Sequence, residues 1–430
     1  MFRLVLSLYF LIFDITKKID SMPKSKFQFL RRRNCLRPTI LGWIVIFIFL
    51  AIIFRLSLVG IYYYLTVNKP INSKTLVLEG WVPAYAIKDA ITYYKENNYD
   101  RIIVTGLPIV NFEFISSYKN TAQATALALK YYGYYDTVYI ATVPTNVLVD
   151  RTYNTAVATR MLFDENSSWS KNFNIYSVGV HARRSRLMFQ KAFESDFDIG
   201  IIAHSDRTFD PKHWWKSSKG FRNVSNELVA TLYVMLFFHP DLLLSENKII
   251  QGRYTDSIYY NREDKYIEFA DSLTSPFNKL ERESFHGFNY FNPNIEFRIA
   301  GKFTVDTTSS VFGMKTTTSR TPTYRTFGYI DFKLNDTNCR LTAFQNMDYI
   351  NDSVYGGNLF VPFKDLTNLL ESYGAGRYID IKIPTTNRVV LDFNEAYNPY
   401  CAYSERWSCP LVPFENHLSI HIAAGEKIYK

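Results

Sequence analysis

The sequence predicts a multidomain chain: one N-terminal transmembrane helix, an α/β doubly wound domain, then an antiparallel β-rich (α+β) domain. Three observations carry this. Residues 39–54, TILGWIVIFIFLAIIF, hold no charge. Between 70 and 245, short apolar runs alternate with helical patterns, as βαβ units do. After residue 250 the apolar period falls to two, the period of half-buried strands.

Composition sets the frame. A chain of 430 residues, 47% hydrophobic and 21% charged, is long enough and apolar enough for several folded domains. Four cysteines exclude a disulfide-rich scaffold. The net charge of +9 is concentrated, because residues 1–38 hold nine Lys/Arg against two acids. One basic patch, with no later basic stripe interleaved with aromatics, argues against nucleic acid as a partner.

The uncharged run resumes after Arg55 and reaches Leu65, so a spanning helix is expected within 39–65. About 20 apolar residues cross a bilayer, and Arg55 can reach toward the interface. Trp43 and Tyr62 to Tyr64 sit near opposite ends, as interfacial aromatics do. No small-residue cleavage site follows, so an uncleaved anchor is expected instead of a signal peptide. Arg31, Arg32, Arg33 and Arg37 flank the N-terminal side. The positive-inside rule then makes 1–38 a cytoplasmic lead. The chain is expected in the inner (plasma) membrane, single-pass, with periplasmic or otherwise extracytoplasmic domains. Met22 is an alternative start, since MPKSKFQFLRRR reads as an ordinary basic lead-in.

In the α/β domain, 70–245, strands are expected at 75–80, 101–106, 136–144, 173–180 and 197–204. Helices are expected at 84–97, 119–133, 154–163, 182–194 and 214–238. Ligands of such sheets bind beyond the carboxyl ends of the strands. The residues there are Glu79 and Gly80, Thr105 and Gly106, Arg151, Asn154 and Thr155, then His181 and Arg184. Helix N-termini reinforced by Arg151, His181 and Arg184 make an anion site suited to phosphate or pyrophosphate. The alternative is that the glycines allow tight turns and the arginines are solvated. No G-x-G-x-x-G follows the first strand, so no dinucleotide cofactor is evident.

The ordered series E-G-W-x-P at Glu79, T-G at Thr105, R-T-x-N-T at Arg151, H-x-x-R at His181, and Glu227 in the last helix resembles the domain of unknown function 218 family. That family includes YdcF-like, SanA-like and ElyC-like bacterial proteins, and the resemblance covers roughly residues 74–240. It implies a Rossmann-like fold and, for several members, membrane-anchored envelope proteins tied to cell-wall or polysaccharide carrier-lipid metabolism. It also implies a ligand-binding role for Glu227.

In the second domain, 250–430, one or two short helices within 256–285, broken at Ser275-Pro276, precede the strands. Strands are expected at 295–303, 326–333, 339–346, 358–363, 377–383, 388–393 and 417–424, with 377–393 forming a hairpin around Pro384 to Asn387. The motifs Pro362-Phe363-x-Asp365-x-Thr367, Tyr373-Gly374-x-Gly376-Arg377-Tyr378, Asp392-Phe393-Asn394-x-Ala396-Tyr397-Asn398-Pro399-x-Cys401 and Ala424-Gly425-Glu426-Lys427 closely resemble the domain of unknown function 1684 family. That resemblance names a fold unit without naming a reaction. Asp365, Tyr373, Arg377, Asp392, Asn394, Asn398 and Glu426 form the candidate site, a mixture that suits sugars or glycan-like ligands. The alternative is a buried polar network that fixes long loops, with Gly374 and Gly376 at positive φ.

Cys401 and Cys409 are spaced too widely for an ordinary zinc pair, and His417 and His421 lie too far apart along a strand to share an ion. No metal site is expected. A Cys401–Cys409 disulfide fits an oxidising compartment, with free thiols as the alternative. The expected function is a membrane-anchored bacterial envelope protein whose α/β domain binds a phosphate-bearing or carrier-lipid/glycan-linked ligand. A non-catalytic glycan- or partner-binding protein is the alternative. No nucleophile elbow, His-Glu-x-x-His or P-loop assigns a catalytic residue.

Overall fold

The computed structural model describes residues 30–33, 35–109 and 119–429. Most of the basic lead, including Met22, lies outside them. The chain divides into two compact units. The first comprises Met1–Gly106, Thr121–Ala141 and Leu162–Pro240; the second comprises Leu107–Asn120, Thr142–Met161 and Asp241–Lys430.

The first unit begins with a short antiparallel ladder, β1 (Leu30–Arg33) and β2 (Cys35–Pro38), followed by helix α1 (Ile40–Leu65). Thr39 caps α1 by accepting the Gly42 N–H at 3.1 Å. This helix is long and apolar enough to cross a membrane, and its apolar window is unburied. Its last turns pack on protein: Tyr62 and Leu65 meet Val180, Trp214 and Val224.

The chain then alternates: β3 (Thr75–Glu79), α2 (Ala84–Glu96), β4 (Arg101–Gly106), α3 (Thr121–Tyr131), β5 (Val138–Thr142), α4 (Arg151–Glu165), β6 (Asn172–Val178), α5 (Ala182–Phe193), β7 (Asp198–His204) and α6 (Ser218–Leu236). The sheet order is β5-β4-β3-β6-β7, and β3 runs parallel to both β4 and β6. Every residue of β3 is buried, as a central parallel strand covered on both faces requires. The chain winds outward from β3 to β5 and returns beside β3 as β6. That reversal makes the carboxyl ends of β3 and β6 the topological switch point of the sheet, the place where open α/β sheets bind ligands.

The second unit opens with α7 (Leu242–Ala270), one helix of 29 residues capped by Asp241, and α8 (Lys279–Glu283). The helical segment therefore starts earlier than its sequence pattern suggested, and its long helix ends at Ala270, ahead of Ser275-Pro276. A curled antiparallel sheet follows, built from β8 (Arg298–Val305), β9 (Val311–Gly313), β10 (Thr323–Leu334), β11 (Thr337–Asn346), β12 (Asn358–Phe363), β13 (Arg377–Lys382) and β14 (Arg388–Asp392). The order β13-β12-β11-β10-β8-β14 puts β13 and β14 at opposite ends of the path, so 377–393 is not a hairpin. Instead β13 pairs with β12 and β14 with β8. Leu418, Ile420, Ile422 and Ala424 enter the core in alternation, as the period predicted, but 417–424 forms no ladder strand. Side chains tie that backbone instead: the Ile422 N–H donates to Asp365 at 2.9 Å, and Arg377 donates to the Ile422 carbonyl at 3.0 Å.

Candidate functional site

In the first unit the structure gathers Glu79, His181, Arg184 and Glu227. Glu79 ends β3, His181 and Arg184 follow β6, and Glu227 projects from α6. Arg184 forks onto Glu227, Nε to Oε2 at 2.7 Å and Nη2 to Oε1 at 2.9 Å. His181 Nδ1 lies 2.8 Å from Glu227 Oε1, and its Nε2 lies 3.6 Å from Glu79 Oε1. Ser185 donates to Glu79 Oε1 at 2.7 Å, while Glu79 Oε2 is buried without a protein partner. Burial pushes the Glu227 carboxyl up, but the hydrogen bonds from Arg184 and His181 outweigh it and hold the group at about 2. Trp81 stands edge-on to His181, ring centroids 4.7 Å apart. Ser185 was not singled out for this cluster. Ser185 directly follows Arg184, which is the one sequence signal that points to it.

Gly80, Thr105 and Gly106 serve close packing. The Gly80 N–H donates to the Thr105 carbonyl at 2.9 Å, and Thr125 Oγ1 donates to the Gly80 carbonyl at 3.0 Å. A side chain on Gly80 would run into the Thr105 carbonyl, and one on Gly106 into Ala122. Arg151, Asn154 and Thr155 belong to the second unit. There Arg151 is exposed, Asn154 donates to the Val149 carbonyl at 3.1 Å, and Thr155 donates to the Thr152 carbonyl at 2.8 Å. These bonds fix the first turn of α4.

The seven residues expected to form the second site are split into separate bonding groups. Arg377 is fully buried. It donates to Asp365 at 2.9 Å, to Thr367 Oγ1 at 3.2 Å, to the Glu426 carbonyl at 3.2 Å and to the Ala424 carbonyl. Burial lowers its pKa, with Asp365 opposing. Asp392 accepts the Tyr254 hydroxyl at 2.8 Å, and Asn394 donates to the same hydroxyl at 2.7 Å. Glu426 pairs with Lys265 and accepts the Asn398 N–H at 2.8 Å and the Tyr403 hydroxyl. Tyr373 lies 3.8 Å from Cys401 Sγ. Most of these groups hold loops to the sheet.

Within the same unit a cavity of about 900 Å³ opens between α7, the outward face of β13 and the 394–400 segment. Asn394, Asn398 and Glu426 line it; Asp365, Tyr373, Arg377 and Asp392 do not. Its other wall residues include Tyr378, Asp380, Tyr397 and Tyr400. Asp380 accepts the Tyr397 hydroxyl at 2.7 Å. Asp380 is exposed at the cavity; desolvation by the walls raises its carboxyl, partly offset by that hydrogen bond.

Comparison with known proteins bears on this half. Residues 283–427 match the family described as Protein of unknown function (DUF1684). The C-terminal region is similar to that family. A solution NMR structure of an uncharacterized protein from Haloarcula marismortui is 33% identical, over 41% of this chain and 94% of that one, with a TM-score of 0.34. No curated protein matches the chain.

In the DUF1684-like region Gly376 takes φ 105°, as expected, whereas Gly374 does not take positive φ; Gly425 does, at 75°. The expected Cys401–Cys409 bridge is not formed: both are free thiols. They are nonetheless adjacent, the Cys401 N–H donating to Cys409 Sγ at 3.2 Å. The hydrogen bond from Cys409 pulls the Cys401 thiol down to about 6, and the same bond pushes Cys409 up. No cluster of metal-ligating side chains occurs among the described residues. Asp380 was missed as a site residue. The signal was available, since alternation along β13 puts Tyr378 and Asp380 on one face.

Proposed function

We propose that the chain is a membrane-anchored envelope protein whose α/β unit binds a phosphate-bearing or carrier-lipid/glycan-linked ligand beyond the carboxyl ends of β3 and β6. In this reading α1 is the single span, the units after it lie outside the cytoplasm, and the α/β unit is of the Rossmann-like, YdcF-like type. One observation carries the reading: the charged cluster is built against the end of α1. His181 follows Val180, which packs on Tyr62 and Leu65. Arg183, next to Arg184, donates to the Tyr64 carbonyl and lies 3.8 Å over the Tyr64 ring. A lipid whose tail lies in the bilayer beside α1 would present its phosphate at this level.

The chemistry fits such a headgroup. A guanidinium has five donors, enough to hold Glu227 on one edge and meet a phosphate oxygen on another. Glu79 Oε2, buried and unpartnered, is an acceptor for a hydroxyl of the headgroup.

The test is titration of the full chain in nanodiscs with a polyprenyl phosphate and with the corresponding polyprenol. The phosphate form binds and the alcohol does not. Arg184→Ala weakens the phosphate form by roughly ten- to a hundredfold, the worth of a charge-assisted hydrogen bond. Equal binding of both lipids, or binding indifferent to Arg184, rejects the reading.

A further inference from the structure

The cavity of the second unit differs in sign from the cluster just described. Its walls carry Asp264, Glu268, Asp380 and Glu395, and its cations are Arg262 and Lys265. Lys265 is engaged, and Arg262 is engaged in part, its buried Nε having no partner. Lys265 pairs with Glu426. Arg262 donates to the Phe291 carbonyl at 3.0 Å and lies 4.2 Å over the Tyr290 ring. Among the described residues no Lys, Arg or His pairs with Asp380, whose one hydrogen bond comes from Tyr397. Asn398, 2% exposed, also lines the cavity, and its buried Oδ1 has no partner. Against these acceptors stands the unmet Arg262 Nε donor, but carboxylates outnumber cations on the walls, so the balance favours positive charge.

Rings surround the same carboxylate. Tyr324, Phe360, Tyr378 and Tyr397 form one chain of contacts, with centroids 5.7, 4.7 and 5.8 Å apart in turn. Phe360 sits directly across the β12–β13 ladder from Asp380. Tyr400, 42% exposed, adds a ring at the opening. Aromatic faces carry negative quadrupole density and attract cations. The protein already uses this chemistry once on the adjoining wall. The Lys265 ammonium lies 4.7 Å from the Phe288 ring centroid and 5.5 Å from that of Tyr397, with Glu426 as its carboxylate. Asp380 with Tyr378 and Tyr397 repeats the arrangement without an internal cation.

We infer that this cavity is a binding site for a ligand bearing a protonated amine, with Asp380 receiving the ammonium and the tyrosine wall covering the ligand's body. An ammonium supplies three donors to a wall of acceptors, and the cavity has the size of a short oligosaccharide or a polyamine. Amino sugars and polyamines share this chemistry. The inference is independent of the phosphate site, whose ligand has the opposite charge.

The test is calorimetry on the full chain in nanodiscs with a trimer of glucosamine, its fully N-acetylated counterpart, and spermidine. The glucosamine trimer binds and the acetylated trimer does not, because acetylation removes the charge and leaves the ring. Spermidine binding as tightly as the trimer identifies polyamines as the source and also supports the proposal. Asp380→Asn weakens binding at least tenfold, and Tyr400→Ala, at an exposed position, weakens it several-fold without lowering the melting temperature. Equal binding of amine and acetylated trimers, no binding of either amine, or affinity unchanged in Asp380→Asn overturns it.

Discussion

Glu227 makes the first unit sensitive to acid in a predictable way. Its carboxyl is four-fifths shielded, and in water that burial alone would raise its pKa. The fork from Arg184 and the bond from His181 reverse this and bring it from 4.5 to about 2. At 1.36 kcal/mol per pH unit that gap corresponds to about 3 kcal/mol of stability. Because the folded-state value is depressed, the contribution is complete above 4.5 and is lost as pH falls from there toward 2. Glu227→Gln removes the titration. The variant is less stable at pH 7, where Arg184 keeps only an amide, and it lacks this segment of acid sensitivity. Urea unfolding of the full chain in detergent, followed by tryptophan fluorescence at pH 7, 4 and 2.5, measures it. Trp43, Trp81, Trp169, Trp214 and Trp215 lie in the first unit and Trp407 in the second, so fluorescence reports chiefly on the unit in question. The wild type should lose about 3 kcal/mol more than the variant between pH 7 and 2.5, less the fraction still ionised there. Parallel pH profiles would refute the paired, buried state of Glu227.

Three further outcomes follow from the second unit. Arg377→Met strands the Asp365 carboxylate in a dry interior and costs about 3–5 kcal/mol in thermal unfolding, whereas Arg377→Met with Asp365→Leu recovers part of the loss. Gly425→Ala forces a side chain to φ 75° against the Ala396 carbonyl and lowers stability by about 1–3 kcal/mol, read from the same transition. At pH 7 iodoacetamide modifies Cys401 well before Cys339, whose thiol burial pushes up, as peptide mass spectrometry would show.

Much of this arrangement was legible in the residues. The uncharged run marked α1, and five apolar segments marked the strands of the parallel sheet, because burial on both faces leaves little room for polar side chains. Glu79, His181 and Arg184 were found because strand ends in such sheets are where ligand groups collect, whereas Glu227, in α6, entered only through the family resemblance. What escaped were partnerships set by distance in the fold. Nothing in Arg377 and Asp365 as residue types distinguishes a surface ligand group from a buried tie; that depends on their joint burial beneath Ile422 and Ala424. The alternation at 417–424 reported burial correctly but could not report whether a neighbouring strand was there to pair with. Likewise the short link between β13 and β14 suggested a hairpin, while the curl of the sheet sends β14 to pair with β8. Asp380 was passed over because nothing in the strand's own sequence shows that rings gather beside this exposed carboxylate.

The central claim is that the strand-end cluster of the first unit meets a lipid-borne phosphate beside α1. A polyprenyl phosphate carrying a photoactivatable group next to its phosphate, incorporated in nanodiscs with the full chain, tests it most directly. The account predicts crosslinks to the 179–185 segment and to the Glu227 region of α6, suppressed by unlabelled polyprenyl phosphate and diminished in Arg184→Ala. Labelling confined to the exposed turns of α1, unaffected by competitor and by Arg184→Ala, would contradict it.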